Sequence, residues 1–225
     1  MTTQNIDYLA DHDRAGHACA LCLRSDQLMT REHVFARWLV RQVHGGRLVQ
    51  SSAASSAPAA RIGRVIAGVC AECNAGWMSG LEDSFRRALF ARPRVGEVQP
   101  QDRITLSRWF TKTAVLLAEA SGGALIGAAH RRQLVGGMPD DIEVFLARRR
   151  RPRQQLDFSL DVMADPDAGV PRVRSVAILV DDLVGYVAAR RTLASRHGTR
   201  LWPLRSHALR WETLPVITSF IVHDG

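Results

Sequence analysis

Four cysteines in two closely spaced pairs constrain the fold of this chain more than any other feature of its sequence. Cys19 and Cys22 form one pair, Cys70 and Cys73 form the other, and the 225 residues contain no further cysteine. A two-residue spacer lets both thiolates of a pair bind one ion from a tight turn, and four thiolates make the tetrahedral ligand set of structural zinc. The spacing therefore predicts one structural zinc ion held by all four.

Two other uses of the cysteines remain open at the level of the sequence. Two disulfides would also use four thiols, but the chain starts Met-Thr-Thr-Gln-Asn with no basic and then apolar leader, so we expect a cytoplasmic protein. A redox Cys-x-x-Cys motif would account for one pair and leave the second without a role. Zinc accounts for both pairs at once.

The composition indicates a soluble, basic protein. Hydrophobic residues make up 46% of the chain and charged residues 23%. No apolar run approaches the roughly 20 residues that cross a bilayer, so we expect no membrane association. Lys plus Arg number 30 against 22 for Asp plus Glu, which gives a net charge of +8 and a pI near 10.5. A basic balance favours a polyanionic partner such as DNA.

Hydrophobic spacing predicts short elements around the cysteine pairs. A strand is predicted over 28–35, a helix over 36–43, a second strand over 61–69 and a longer helix over 74–89. Residues 51–60 are low in complexity, and we expect a mobile loop there. Each cysteine pair thus lies beside a predicted strand.

The second half of the chain has a different pattern. Pro93 and Pro100 indicate a boundary near residue 100, which divides the chain into domains 1–100 and 101–225. Two helices are predicted after it, at 104–120 and 125–134, followed by strands at 142–147, 156–162, 173–180, 184–190 and 214–222. We therefore expect an α+β fold whose second domain packs helices on an antiparallel sheet.

Three segments together resemble the HNH nuclease family. They are Cys-Ala-Leu-Cys at 19–22, Arg-Glu-His-Val-Phe-Ala-Arg-Trp-Leu at 31–39, and Val-Cys-Ala-Glu-Cys-Asn-Ala-Gly-Trp-Met-Ser-Gly-Leu-Glu at 69–82. In that family an acidic residue followed by His lies on a strand, an Asn or His follows the second Cys-x-x-Cys, and a four-cysteine zinc knuckle often braces the site. The resemblance implies a zinc-braced ββα-metal finger within domain 1–100.

The same resemblance implies the roles of three residues. His33 corresponds to the general base that activates water for attack on a phosphodiester. Glu32 and Asn74 correspond to ligands of a catalytic Mg²⁺ or Mn²⁺ ion, a hard cation that suits oxygen donors. The implied activity is that of a metal-dependent endonuclease or nickase that hydrolyses phosphodiester bonds in DNA.

Basic residues near this site are candidates for DNA contact. Arg31, Arg37 and Arg41 flank the Glu-His step, and we expect them to contact the DNA backbone. The run of arginines at 148–153 is either a solvated turn or a phosphate-contacting loop. Lys112 lies in an apolar helical stretch, from which it either reaches the surface or approaches the site.

Two departures from the family pattern leave an alternative function open. The middle Asn of the family name helps to hold the base, but the only asparagines here are Asn5 and Asn74, so residues 61–69 supply none. Trp77 stands where many members carry Lys or another residue that faces phosphate, and its helical spacing to Leu81 predicts a core-facing side chain. The alternatives are a non-catalytic zinc-dependent module that binds nucleic acid, and an interaction protein that uses the zinc knuckle as a scaffold.

Overall fold

The structure is a computed structural model of the chain. It describes residues 18–45, 62, 65–91, 93–150, 155–163, 171–189, 198–204 and 208–218. The loop predicted at 51–60 lies outside these ranges, and so do residues 151–154 of the arginine-rich stretch.

A two-stranded antiparallel sheet lies between the two cysteine pairs. Its strands are β1 (Met29–His33) and β2 (Ile66–Cys70), and the register places Met29 opposite Cys70. Helix α1 (Arg37–His44) follows β1 and buries three apolar side chains, which explains the helical spacing in the sequence. Both strands and this helix confirm the predicted elements, although each strand is shorter than predicted.

A kinked helical segment follows β2 directly. It begins as α2 (Ala71–Cys73), passes through one π-helical turn (Asn74–Met78) and continues as α3 (Ser79–Phe90). Gly76 has non-helical backbone angles and marks the kink. Asn74 therefore lies before the kink, close to the second cysteine pair, and most of the helix lies after it.

Two further helices belong to the second half of the chain. Helix α4 (Pro100–Ala120) starts at a proline, which suits a first helical turn because its φ is fixed and its missing N–H has no helical partner there. It buries side chains on all sides, as its largely apolar sequence predicts. Helix α5 (Ala128–Gly136) starts three residues later than predicted.

The sheet of the second half has six described strands. They are β3 (Ile142–Arg149), β4 (Leu156–Met163), β5 (Arg172–Val180), β6 (Leu183–Ala189), β7 (Thr199–Trp202) and β8 (Val216–Ile217). The strand order is β4-β5-β6-β3-β7, all antiparallel, and β8 pairs with β3 in parallel. The predicted combination of helices with an antiparallel sheet is confirmed.

One strand prediction near the C-terminus needs correction, and one strand was missed. The strand predicted over 214–222 is represented only by β8, which follows a 3₁₀ turn at Trp211–Thr213, and residues 219–222 are not described. Strand β7 was not predicted, because four residues with mixed polarity give no clear alternation. Its pairing with β3 supplies the hydrogen bonds that make it a strand.

A continuous hydrophobic core crosses the predicted boundary at residue 100. Phe85 of α3 stacks on Trp109 of α4, with ring centroids 3.8 Å apart and an angle of 10° between the rings. Phe110 lies against Gly185 of β6, where a Cβ atom would come within 2.4 Å of the phenyl ring. Helix α4 thus packs on the cysteine-bearing half through Trp109 and on the large sheet through Phe110.

None of the helices in the described part of the chain is both long and apolar enough to cross a membrane.

Candidate metal centre and active site

The four cysteines come together at one point. Their sulfur atoms all lie within 4.8 Å of one another, and the Sγ atoms of Cys22 and Cys70 are 3.6 Å apart. Zinc–sulfur bonds of about 2.3 Å in a tetrahedron place the sulfurs about 3.8 Å apart. The donor set and the spacing therefore fit one zinc ion, and the four cysteines can hold it.

The geometry does not favour the disulfide interpretation. All four cysteines are free. The 3.6 Å between the sulfurs of Cys22 and Cys70 is well above the length of a disulfide bond, which is about 2.05 Å. The sulfurs converge as a group of four and not as two bonded pairs.

Backbone hydrogen bonds shape the first cysteine turn and attach it to the sheet. The amide of Leu23 donates to the carbonyl of Cys19 at 2.9 Å, which closes the turn. The amide of Ala20 donates to the carbonyl of Gly68 in β2, also at 2.9 Å. These bonds place the first pair beside the strand that ends at Cys70, so the metal centre is formed by backbone structure from both sequence segments.

Burial sets the proton affinity of the thiols. It raises the pKa of Cys73 and of Cys22 above the usual value of a thiol. Burial also acts to raise the pKa of Cys19, but hydrogen bonds from neighbouring backbone groups, first that of Cys70, outweigh it and lower the pKa. Because zinc binds thiolates, the ion must compete with protons for the cysteines, and zinc affinity should rise with pH.

A buried arginine from the second half of the chain supports the first cysteine turn. Arg131 of α5 donates from Nη1 to the carbonyl of Ala20 at 3.2 Å and from Nε to the carbonyl of Ile126 at 3.3 Å. The same guanidinium pairs with Glu119 at 2.8 Å. The bond to Ala20 fixes the turn that carries two of the four cysteines. No spacing or motif in the sequence predicts this contact.

The two predicted ligands of the catalytic ion lie in direct contact. Thr30 and Glu32 point to the same face of β1, because side chains alternate along a strand. Asn74 donates from Nδ2 to Glu32 Oε2 at 2.9 Å and to Thr30 Oγ1 at 3.2 Å. Thr30 in turn donates to the carbonyl of Val69 at 2.9 Å. The carboxylate and the amide therefore form one polar group beside the four cysteines.

His33 is the last residue of β1, so its side chain leaves the strand on the face opposite to that of Glu32. The strand ends at this residue, and the chain bends at Val34 before α1 begins. The ring nitrogen Nδ1 is buried and has no hydrogen-bond partner among the described residues. The structure thus places His33 at the end of the strand that carries Glu32, with one ring nitrogen unpaired.

The three predicted DNA-contacting arginines are exposed. Arg37 and Arg41 lie one turn apart on α1, and Arg31 lies on the strand that precedes it. None of the three forms an ion pair within the part of the chain that the structure describes. Their guanidinium groups are accordingly available to a polyanion.

Other predicted candidates have structural partners. Arg148 pairs with Asp182 at 2.8 Å, and Arg149 donates to Gln155 Oε1 at 2.6 Å. These contacts favour a structural role for the beginning of the arginine run over phosphate contact. Trp77 is half-buried against the core, with the Arg108 guanidinium 4.7 Å from its ring centroid, which agrees with a packing role.

Sequence reasoning missed a buried cluster around Glu82. Its carboxylate accepts hydrogen bonds from Trp38, Trp109 and Lys112. Lys112 does not reach the surface, since only 2% of its side chain is exposed. The available signals were the position of Glu82 at the end of the family-like segment and the presence of a single lysine in the chain.

Comparisons of the chain with protein-family models, with curated proteins and with solved structures find no match.

Proposed function

We propose that the protein is a metal-dependent HNH-type endonuclease or nickase that hydrolyses phosphodiester bonds in DNA. In this proposal β1, β2 and the kinked helix form a ββα-metal finger, and zinc on the four cysteines braces it. The contact between Glu32 and Asn74 is the observation that carries the proposal, since the two residues lie 42 positions apart and come from two different arms of the motif. The contact places a carboxylate and an amide together beside the four cysteines.

The residues present fit a hard divalent cation. Glu32 offers a carboxylate and Asn74 an amide oxygen, and a Mg²⁺ ion typically takes one or two such protein ligands with water and phosphate completing its shell. When bound, the ion would stabilise the charge that develops on the leaving oxygen. Glu32 and Asn74 are the groups of this chain that would hold it.

His33 supplies the base in this proposal. It lies next to Glu32 in sequence and at the end of β1, from where an imidazole can accept a proton from the attacking water. The exposed Arg31, Arg37 and Arg41 would hold the phosphate backbone, in keeping with the net charge of +8. Base, ion ligands and DNA contacts thus all derive from β1, α1 and the turn that follows the second cysteine pair.

One observation favours the second candidate, a non-catalytic zinc-dependent module that binds nucleic acid. The strand opposite His33 lacks the middle Asn of the family, and the base's buried Nδ1 has no partner in the described part of the chain. An imidazole without a partner on its second nitrogen is less firmly oriented for proton transfer. In this alternative the protein binds zinc through the cysteines and nucleic acid through the arginines, but it does not cleave the nucleic acid.

The test is plasmid cleavage by the purified protein with Mg²⁺, with Mn²⁺ and with a chelator, beside the variant His33→Ala. We expect nicked or linear DNA only with the divalent ion, and a loss of about 10²–10⁴-fold in rate for His33→Ala with unchanged zinc content. The matched control is His130→Ala, which removes an imidazole that pairs with Asp141 on the second half of the chain. Tight DNA binding without cleavage under any divalent ion would establish the non-catalytic alternative.

A further inference from the structure

A single carboxylate joins three helices near the proposed site. Glu82 lies on α3, and its Oε1 accepts hydrogen bonds from Trp109 Nε1 at 2.8 Å and Lys112 Nζ at 2.7 Å, both from α4. Its Oε2 accepts from Trp38 Nε1 of α1 at 3.1 Å. Two indole donors and one ammonium therefore converge on one side chain from two other helices.

Glu82, Trp38, Trp109 and Lys112 form a junction between the three helices, and Lys112 restricts how these helices can pack. It is the only lysine of the chain, and every other basic residue among the 30 is arginine. Its side chain is 2% exposed, and the ammonium also lies 5.3 Å from the centroid of the Trp109 ring. A compact ammonium fits between an indole and a carboxylate where a planar guanidinium is bulkier. A buried charge is tolerated only beside its partner, so the pair favours one position of α3 against α4.

The junction fixes the two chain segments that lead to the proposed site. Helix α1 carries Trp38 and starts four residues after His33. Helix α3 carries Glu82 and continues from the turn that holds Asn74. The four cysteines hold α2 before the kink at Gly76, whereas Glu82 holds the helix after the kink. The two anchors lie on opposite sides of the one irregular turn in this helix.

We propose that Glu82, paired with Lys112, is a positioning residue that sets the placement of His33 relative to Asn74. The inference rests on the proposed nuclease function and adds to it a requirement for the second half of the chain, which supplies Trp109 and Lys112. Misplacement of reacting groups by about 1 Å can cost on the order of 10²-fold in rate. Loss of the junction should therefore reduce the chemical step while the DNA contacts on α1 persist.

The first test compares Glu82→Gln with Asp83→Asn. Glutamine keeps the size of the side chain but has one acceptor oxygen in place of two, so it cannot serve donors on both sides. Asp83 is exposed on the same helix, and its replacement removes the same charge without touching the junction. We expect Glu82→Gln to lower kcat about 10-fold or more and to raise the Mn²⁺ concentration needed for half-maximal rate, with KM for DNA unchanged. Asp83→Asn should match the wild type.

A double variant separates positioning from stability. Glu82→Gln with Lys112→Met removes both buried charges at similar volume, and such replacements often restore stability. We expect its melting temperature to recover toward that of the wild type while kcat stays low, because the glutamine still cannot accept from every donor. Recovery of kcat together with the melting temperature would assign Glu82 a role in stability alone and overturn the proposal.

The rate at which an amine-reactive ester acetylates Lys112 measures whether the junction is intact, and it requires no activity assay. Apart from the chain's α-amino group, Lys112 is the only amine to label, so mass spectrometry of its peptide follows this cluster alone. We expect protection of Lys112 in the wild type and labelling at least about 10-fold faster in Glu82→Gln, since opening of the contact exposes the amine. Equal labelling rates in the two proteins would show that Glu82 does not hold Lys112 in place, and would overturn the proposal.

Cleavage by the wild type and by Glu82→Gln distinguishes the nuclease proposal from the positioning proposal. A wild type that never cleaves DNA, with Lys112 protected, overturns the nuclease function and the positioning role that rests on it. A wild type that cleaves DNA beside an equally active Glu82→Gln variant overturns the positioning role alone.

Discussion

The hydrogen bond from Asn74 to Glu32 is the smallest unit on which the functional argument depends. At 2.9 Å the amide proton neutralises part of the carboxylate charge, and Thr30 accepts a second hydrogen bond from the same amide nitrogen. A cation would replace this proton as the partner of Glu32. Under the proposed function, the same two side chains form a pair without an ion and would form a ligand set with one.

Replacement of Asn74 by Asp tests this dual role. Asn74→Asp removes the donor and sets a second carboxylate against Glu32, so the free energy of unfolding should fall by about 1–3 kcal/mol without a divalent ion. Added Mn²⁺ should stabilise this variant more than the wild type, because two carboxylates bind the cation more strongly. Thermal unfolding with and without Mn²⁺ measures both effects.

The control for that experiment is Asn74→Ala, which loses the donor without adding charge. It should be destabilised and should gain less from Mn²⁺ than the wild type. If Mn²⁺ stabilises Asn74→Asp no more than Asn74→Ala, the ion does not bind between these residues.

His44 makes stability depend on pH. It lies at the end of α1, where burial lowers its pKa below the ordinary value of 6.5 despite the opposing effect of the Asp157 carboxylate. The unfolded chain then takes up a proton near pH 6.5 that the folded chain resists. The free energy of unfolding should decrease as the pH falls below 6.5, and it should level off once the folded-state pKa is passed.

Denaturation of the wild type and of His44→Gln at a series of pH values isolates this contribution. The difference between the two stability profiles should slope below pH 6.5 and be flat above it. A difference profile that is flat throughout would contradict the assignment to His44.

At the scale of elements, zinc bound by the four cysteines would join three parts of the chain that meet at the sulfur atoms. The first cysteine turn, the end of β2 and α2 meet at the four sulfurs. Arg131 adds a contact from α5, so the second half of the chain also supports this centre. Small zinc modules often depend on their metal for folding.

Loss of zinc should unfold the first half selectively. Cys73→Ser, or a chelator, should remove one equivalent of zinc and expose the amides of residues 19–45 and 66–78, while the β5–β6 pairing stays protected because one of its faces packs in a separate cluster of buried side chains that includes Ala177, Leu179 and Val184. Zinc release measured by a colorimetric chelator, with hydrogen exchange read by mass spectrometry, checks both parts. Acidification should release zinc as well, because protons compete for the thiolates.

Serine at Thr30 provides the matched control, since Thr30→Ser keeps the hydroxyl and does not touch the cysteines. It should retain zinc and protection. Well-folded protein with less than about half an equivalent of zinc would argue against a structural ion.

At the scale of the whole molecule, α4 connects the two halves. Its Trp109 stacks on Phe85 of α3, and its Phe110 lies in the space left by the missing side chain of Gly185. This close approach of helix and sheet explains why a glycine interrupts an otherwise apolar strand. Both aromatic side chains of α4 are fully buried.

Two glycine substitutions test this packing. Gly185→Ala should destabilise the protein by about 1–3 kcal/mol or more, since the new methyl group would come within 2.4 Å of the buried Phe110 ring. Gly80→Ala, on the exposed side of α3 with nothing within 4 Å, should instead stabilise it by about 0.5–1 kcal/mol. Chemical denaturation distinguishes the two, and a neutral Gly185→Ala would mean that α4 does not lie as close to β6.

Local patterns in the sequence determined much of the fold. The paired cysteines, the apolar run from Pro100 and the short strand-like runs of β3 to β6 involve neighbours along the chain, so local sequence predicts the elements. The four cysteines could be named from their spacing, and the residues of the proposed site from the resemblance to the HNH nuclease family. Register and exact bounds followed only from pairing between strands.

The tertiary structure decided which of these residues meet. Asn74 finds Glu32 across 42 positions, and Glu82 finds Trp38 across 44 and Lys112 across 30. No periodicity links residues so far apart, because their contact depends on the packing of whole helices and on the burial that makes a charge require its partner. The sequence therefore identified the chemical groups, and the packing of α1, α3 and α4 chose their partners.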